Sequence, residues 1–315
     1  MATGSRIERN PASPGSGRFA ALTQRWQGVL LVLVSAAVFS SAGLFVKGVA
    51  TDSWTILFWR GLAATAFTLF YLRWRDTVRA QFLGMGKPGI CAAVVGALAT
   101  AAFIPAFKFT SIANVSLIYA AVPFVAALIA AFWMRERPSA SVLLASLAAL
   151  VGVLIIVGGS LHSVNLKGDL LALWMTVGMA LFLCIYRRYP ETPAAGPAVL
   201  SALLLLPPAL LLSDPFAITP RDLLVTCGFG LVFAIASVTM AEGARRLPAA
   251  ETALVSALET PLAPLWAYLL FAELPGRLAL VGGAIILFAV FASQVYALRS
   301  EKPGGITACS CKTTS

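Results

Sequence analysis

The sequence predicts an all-α membrane protein of ten transmembrane helices, built as a five-plus-five inverted repeat with both termini in the cytoplasm. Three observations carry that prediction. Ten apolar stretches between Gln27 and Leu298 each have the length that crosses a bilayer, about 20 residues for an α-helix. Basic residues crowd every second connection, and a Glu-x-Pro signature closes two stretches that align without gaps. The composition agrees, at 59% hydrophobic and 11% charged with a mean hydropathy of +0.88. Unbroken apolar runs such as Val142–Val157 point to helices rather than a barrel, whose strands would alternate.

Residues 1–26 are rich in Gly, Ser, Pro and Arg and read as a disordered cytoplasmic tail. The spans follow at 27–47, 54–72, 89–109, 113–134, 140–160, 168–187, 194–213, 222–244, 249–272 and 277–298. The first begins too late, and is followed by too many others, to be a removable signal peptide. Connections at 110–112 and 245–248 are short enough to make their flanking helices antiparallel neighbours. Those at 73–88, 161–167 and 213–221 are longer. Residues 27–160 thus form a first five-helix repeat, 161–167 an outer linker, 168–298 a second repeat and 299–315 another cytoplasmic tail. Cys91, Cys184 and Cys227 lie in spans at no ligand spacing and read as small packing residues, while Cys309 and Cys311 form a C-x-C in the tail. No disulfide framework, metal site or cofactor is implied.

The formal charge of +10 is a matter of topology. With the N-terminus in the cytoplasm, only Lys47, Lys108, Lys167, Arg221 and Arg277 fall on the far side, and Arg60 lies inside a span. The other 17 of the 23 basic residues are cytoplasmic, a positive-inside bias. Nucleic acid is excluded as a partner, because no basic cluster interleaves with aromatic residues on a soluble module. The partners expected are the lipid bilayer and a small-molecule substrate, for a monomer or a homodimer.

Residues 113–138 read ANVSLIYAAVPFVAALIAAFWMRERP, and residues 250–275 read AETALVSALETPLAPLWAYLLFAELP. Aligned without gaps, Ala113 meets Ala250, Leu117 meets Leu254, Glu136 meets Glu273 and Pro138 meets Pro275. Charge and proline are rare here, so the shared Glu-x-Pro carries more weight than shared Ala and Leu. Each copy is followed by one more span. Five is odd, so the second copy enters the membrane inverted, a construction that places a substrate site near the midplane where the repeats meet.

These residues resemble the drug/metabolite transporter superfamily in its EamA-type branch. The resemblance rests on Pro123 with Glu136, Arg137, Pro138 and Gly152, and on Glu259 and Pro261 with Glu273, Leu274, Pro275, Gly282 and Gly283. Phe58-Trp59-Arg60-Gly61 also looks like that branch's early arginine. The likeness covers roughly 27–298, with one departure: Thr260 separates Glu259 from Pro261 where the family usually has Pro directly after Glu. It implies a multi-pass protein of a bacterial-type inner membrane. Size and aromatic content are most similar to bacterial amino-acid exporters, the aromatic-amino-acid type included.

An ionisable side chain at a helix centre costs roughly 2.5–3.5 kcal/mol on insertion scales, so each needs a reason. Glu259 is the deepest, and is a candidate substrate-ammonium or proton site or else a structural helix–helix contact. Arg60 lies nearer a span end, where snorkelling to the interface is the preferred reading and a substrate carboxylate the alternative. Glu242 and Glu251 sit near Arg245 and Arg246 at the cytoplasmic end of a helical hairpin, with a surface charge cluster as the preferred reading and a gate contact as the alternative. Hydroxyl candidates for a cavity wall are Ser40, Ser41, Thr100, Ser237 and Ser256, though such residues also join helices structurally. Aromatic candidates are Phe39, Phe103, Tyr119, Trp174 and Trp266, whereas Trp54, Trp59 and Trp74 sit at span ends as interfacial anchors. Pro105, Pro123 and Pro261 fall inside spans, where a lost backbone donor kinks a helix and offers a hinge or gate.

Together these features imply a secondary transporter working by alternating access, with amino-acid export as the first reading and efflux of drugs or other metabolites as the alternative. An intramembrane enzyme is disfavoured: the only histidine is His162, in an outer connection, and there is no H-E-x-x-H, nucleotide loop or paired intramembrane aspartate. A sensor would need a signalling domain, and the tails are too short to hold one.

Overall fold

The computed structural model describes residues 14–42, 45, 49–109, 115, 118–136, 138–157, 166–271 and 277–300, and these contain helices and turns but no strand. In chain order the helices are α1 (Pro14–Phe39), α2 (Ser53–Trp74), α3 (Val78–Leu83), α4 (Gly86–Phe109), α5 (Val122–Ile129), α6 (Ala140–Val157) and α7 (Leu166–Arg188). They continue as α8 (Ala195–Leu204), α9 (Leu206–Leu212), α10 (Pro220–Ala244), α11 (Ala249–Ser256), α12 (Glu259–Phe271) and α13 (Arg277–Ser300). A π-helical turn, Ala130–Met134, extends α5. It stops where Arg135 turns left-handed at φ +56°, shortly before Pro138.

Among the described residues, five segments are long and apolar enough to cross a membrane: Ser53–Trp74, Gly86–Phe103, Leu166–Arg188, Ala195–Leu212 and Pro220–Ala244. Val122–Met134, Ala140–Ile155 and Leu280–Tyr296 are shorter apolar helices. Three expectations change. Helix α1 starts at Pro14, inside the stretch expected to be a disordered tail, because Phe19-Ala20-Ala21-Leu22 and the residues after it are helix formers. The expected span 194–213 is two helices meeting at Leu205, and the span 249–272 is interrupted at Ala257–Leu258. Residues 1–13 and 301–315, with His162, Glu273, Pro275, Cys309 and Cys311, lie outside the described residues.

Helix starts follow from caps. The Asp52 carboxylate accepts hydrogen bonds from the backbone N–H of Trp54 (2.8 Å) and Thr55 (3.2 Å) at the head of α2. Thr219 accepts from the Asp222 N–H (3.2 Å) at the head of α10. The Gln81 side chain, delivered by α3, accepts from Ala195 and Gly196 and so caps α8 from a distant part of the chain.

The most extensive packing joins α4 to α7, α6 to α13, α2 to α10 and α1 to α10. Helix α8 lies on α4 and α2, α5 lies on α7 and α11, and α1 also touches α11 and α12. Large apolar side chains point outward: Leu170, Leu173, Trp174 and Val177 make a stripe on α7, and Leu280, Leu287, Phe288 and Phe291 one on α13. Small residues line the interior, among them Ala36, Ala92, Ala126, Ala180, Ala236 and Ala244. That inverts the plan of a soluble protein and suits helices whose solvent is hydrocarbon.

Close backbone approach follows. A Cβ on Gly152 would come within 2.7 Å of both the Gly282 carbonyl oxygen and Ile286 Cγ1, where α6 crosses α13. Gly152→Val is therefore expected to destabilise the detergent-solubilised protein by about 1–3 kcal/mol, visible as a lower thermal unfolding midpoint. Gly228→Ala is the contrasting case, since its nearest neighbour would be Phe45 Cε1 at 3.6 Å. Replacing that helical glycine should leave stability unchanged or raise it by about 0.5–1 kcal/mol.

Candidate functional site

The two stretches that align in sequence are interrupted in the same register. In the alignment that pairs Ala113 with Ala250, the turn at Ala120–Ala121 corresponds to the turn at Ala257–Leu258. At each break a tight backbone bond closes the chain, Ala121 N–H to Ile118 O (3.1 Å) and Leu258 N–H to Val255 O (3.2 Å). These i→i+3 bonds satisfy donors that an interrupted helix would otherwise leave bare in an apolar setting. Pro123 and Pro261 lie just beyond the breaks, in the first turns of α5 and α12. There a missing N–H costs no helical bond, so neither proline kinks a continuous helix as expected. Pro105 does lie inside a helix, α4.

The two breaks face each other across a small cavity. Tyr119, Ala120, Val122 and Pro123 line it from one side and Ser256, Ala257, Glu259 and Thr260 from the other, with Ala149, Val153 and Ala253 completing the wall. Its volume is about 20 Å³, room for about one water molecule. Val122 and Glu259 are partners in the alignment, so equivalent positions present an isopropyl group on one side and a carboxyl group on the other. No hydrogen bond or ion pair engages the Glu259 side chain among the described residues. As the first residue of α12, it sits at the positive end of that helix's dipole.

An aromatic strip begins beside this cavity, on the same helix. Trp266 Nε1 donates to Ser40 Oγ (2.8 Å) and to the Ala37 carbonyl (3.2 Å), tying α12 to α1. Phe39 meets Phe233 of α10 edge-on at 5.8 Å, and Phe45 stacks on Phe229 at 5.5 Å. The Arg60 guanidinium of α2 lies over Phe233, with Cζ 4.0 Å from the ring centroid, and 5.3 Å from that of Phe229. Arg60 is 3% exposed, so it does not snorkel. The reason is Gly230, between the two phenylalanines, where a Cβ would come 2.7 Å from the Arg60 carbonyl oxygen. That approach draws α2 against α10 and lays the side chain along the rings. A desolvated cation–π contact returns about 2 kcal/mol or more, against roughly 2.5–3.5 kcal/mol for inserting arginine at a helix centre.

The remaining serine candidates bond to carbonyls three or four residues back, Ser256 at the cavity wall included, and the others scatter. Ser41 Oγ bonds to the Val38 carbonyl (2.7 Å), Ser237 Oγ to Phe233 O (2.7 Å) and Ser256 Oγ to Ala253 O (2.8 Å). Phe103 packs between two small cores, one of which also touches Tyr119, and Thr100 is half-buried on α4. Trp174 is 58% exposed, on the outer face of α7, away from the cavity. Trp59 Nε1 donates to Pro215 O (2.7 Å). Among the described residues no cluster of His, Cys, Asp and Glu could hold a metal ion. Phe229 and Phe233 are the site residues that sequence reasoning missed; their four-residue spacing around Gly230 was the available signal.

The arginine-rich end of the bundle is laced by ion pairs. Arg25 of α1 binds Glu251 of α11 (2.6 Å), and Arg187 of α7 binds Glu136 (3.2 Å). Glu242 takes both Arg245 and Arg246 at 2.6 Å. Glu251 therefore pairs across the bundle instead of with the arginines nearest in sequence, because α11 turns its first residues toward α1.

Residues 26–158 match the EamA-like transporter family. No curated protein matches. A crystal structure of another protein superposes with a TM-score of 0.75 at 18% sequence identity, covering 87% of this chain and 99% of that one. At that identity the likeness is one of fold.

The indole–hydroxyl contact is open to a direct check. Trp266→Phe and Ser40→Ala each remove it, and a double-mutant cycle on thermal stability should show a coupling of about 0.5–1.5 kcal/mol. Fully additive effects would mean that the bond contributes nothing.

Proposed function

We propose that this chain is a secondary transporter of the EamA type, carrying small amphipathic metabolites, amino acids and aromatic ones among them, out of the cell by alternating access. The observation that carries the reading is the meeting of two interrupted helices at a cavity that presents Glu259. Helices broken near the centre of a bundle are where transporters place substrate groups, since free backbone ends and a lone ionisable side chain are tolerated only where something binds them. The match of residues 26–158 to a transporter family supports it.

The inverted five-plus-five arrangement belongs to the same proposal. Taking α1, α2, α4, α5 and α6 as the first half, and α7, α8–α9, α10, α11–α12 and α13 as the second, contacts recur on exchanging the halves. The packing of α4 on α7 has its counterpart in α10 on α1, that of α2 on α10 in α8 on α4, and that of α5 on α7 in α11 and α12 on α1. The pairs α6–α13, α5–α11 and α2–α8 are their own counterparts. Such a pattern is what a two-fold axis produces. The positive-inside bias assigns the arginine-rich end, and with it both termini, to the cytoplasm.

On this reading Arg25–Glu251 and Arg187–Glu136 each join one half to the other and hold the cytoplasmic end shut. A cavity the size of one water must widen for any metabolite, and separation of the halves at an end is the motion that widens it.

A counterflow screen in proteoliposomes across amino acids, cationic drugs and nucleotide sugars tests the function, with saturable flux expected for amino acids and none for nucleotide sugars. Flux of cationic drugs alone would favour efflux of drugs on the same fold. Glu259→Gln should fold normally yet lose most transport or its pH dependence, and wild-type flux at every pH would remove Glu259 from the mechanism. For topology, Arg188→Cys in a background without other cysteines is expected to react with an impermeant thiol reagent only from the cytoplasmic side.

A further inference from the structure

The transport reading leaves one buried charge without a use. Arg60 is 3% exposed, its Nε has no hydrogen-bond partner, and no acidic side chain pairs with it among the described residues. Every other arginine on which an ion pair is seen lies at the opposite end of α2 or at the arginine-rich end of the bundle, as with Arg73 and Asp76, or Arg25 and Glu251. The rings of Phe233 and Phe229 flank the guanidinium but supply no hydrogen-bond acceptor in its plane. Stacking on a ring leaves a guanidinium's in-plane N–H groups free, and those are the groups that take a carboxylate side-on through two parallel bonds.

Its surroundings are contiguous with the proposed site. Phe233 meets Phe39, which precedes Ser40, and Ser40 accepts the bond from Trp266, two turns along α12 from Glu259. The strip thus has a cation at one end, a carboxyl group toward the other and aromatic faces between them. We infer that Arg60 is the carboxylate subsite of the transported molecule, and that the cargo is an aromatic or apolar amphiphile bearing one carboxylate. A single guanidinium among phenyl rings matches one negative charge. A phosphate dianion would call for further cations, and none lies beside these rings among the described residues.

This inference rests on the transport reading but is read out by binding, so that the two can fail separately. The probes are phenylalanine, phenethylamine (phenylalanine without its carboxylate) and hydrocinnamate (phenylalanine without its ammonium), titrated by intrinsic tryptophan fluorescence into the detergent-solubilised full chain. Arg60→Met should weaken phenylalanine and hydrocinnamate about ten- to a hundredfold, the loss expected for a hydrogen bond to a charged group, and leave phenethylamine unchanged. Equal weakening of all three probes, or of none, in an Arg60→Met protein with a wild-type unfolding midpoint overturns the inference. If Arg60→Met does not fold, Arg60→Lys keeps the charge without the planar fork. It should bind phenethylamine as wild type does and the two carboxylates more weakly; carboxylate binding at wild-type strength overturns the inference. Wild-type protein that binds neither carboxylate also overturns it, while flux of other substrates would leave the transport reading standing. Arg60-dependent binding of hydrocinnamate without any amino-acid flux would keep the subsite and remove amino acids as cargo.

Discussion

Helices surrounded by hydrocarbon gain nothing by hiding leucine from their solvent, so they hold together only where their backbones come close enough for dispersion and short hydrogen bonds. The rest of this structure depends on that constraint. It explains an interior rich in alanine and glycine and a surface rich in leucine and phenylalanine. It sets α6 on α13 at Gly152 and Gly282, and α2 on α10 at Gly230 and Ala63. Polar groups enter such packing against particular partners, the Arg60 guanidinium over the Phe233 ring and Trp266 Nε1 on Ser40 Oγ.

Glu259, by contrast, sits at a broken helix. Interrupting a helix in an apolar surrounding exposes backbone groups, and the breaks beside Tyr119 and Ser256 satisfy theirs with tight turns. Each break then has two helix ends but no continuous rod, which makes it easier to deform than an intact helix. The two breaks face one cavity yet differ in chemistry, Val122 against Glu259. On the proposed inverted-repeat reading, the packing stays symmetric while the charge falls on one side, an asymmetry that suits a cargo with distinct ends.

Much of this was legible in the sequence. Mean hydropathy and span length fixed the class, and the gapless alignment of 113–138 with 250–275 anticipated the register of the two breaks. Glu259 stood out because a carboxylate deep in an apolar run is costly wherever it points. The breaks themselves were not legible, since Ala120–Ala121 and Ala257–Leu258 are good helix formers, and the prolines that mark them lie a few residues on. Arg60 was expected at the interface, because depth along a span is readable and the direction of a side chain is not. Sequence placed Glu251 only in a charge cluster near Arg245 and Arg246, whereas its partner is Arg25, 226 positions away. Trp174 was a candidate wall residue by depth alone, and its face of α7 turns outward.

By itself, then, the sequence determined what is local and additive. Each apolar run reports its own transfer free energy, and charge bias sums along the chain to give an orientation to propose. Only the tertiary structure decided which breaks meet, which rings receive the Arg60 guanidinium and which carboxylate closes on Arg25. The physical reason is that helix rotation about its axis carries almost no signal in a span that is apolar all round. Backbone approach at a handful of glycines sets that rotation, and through it every side-chain pairing at the candidate site.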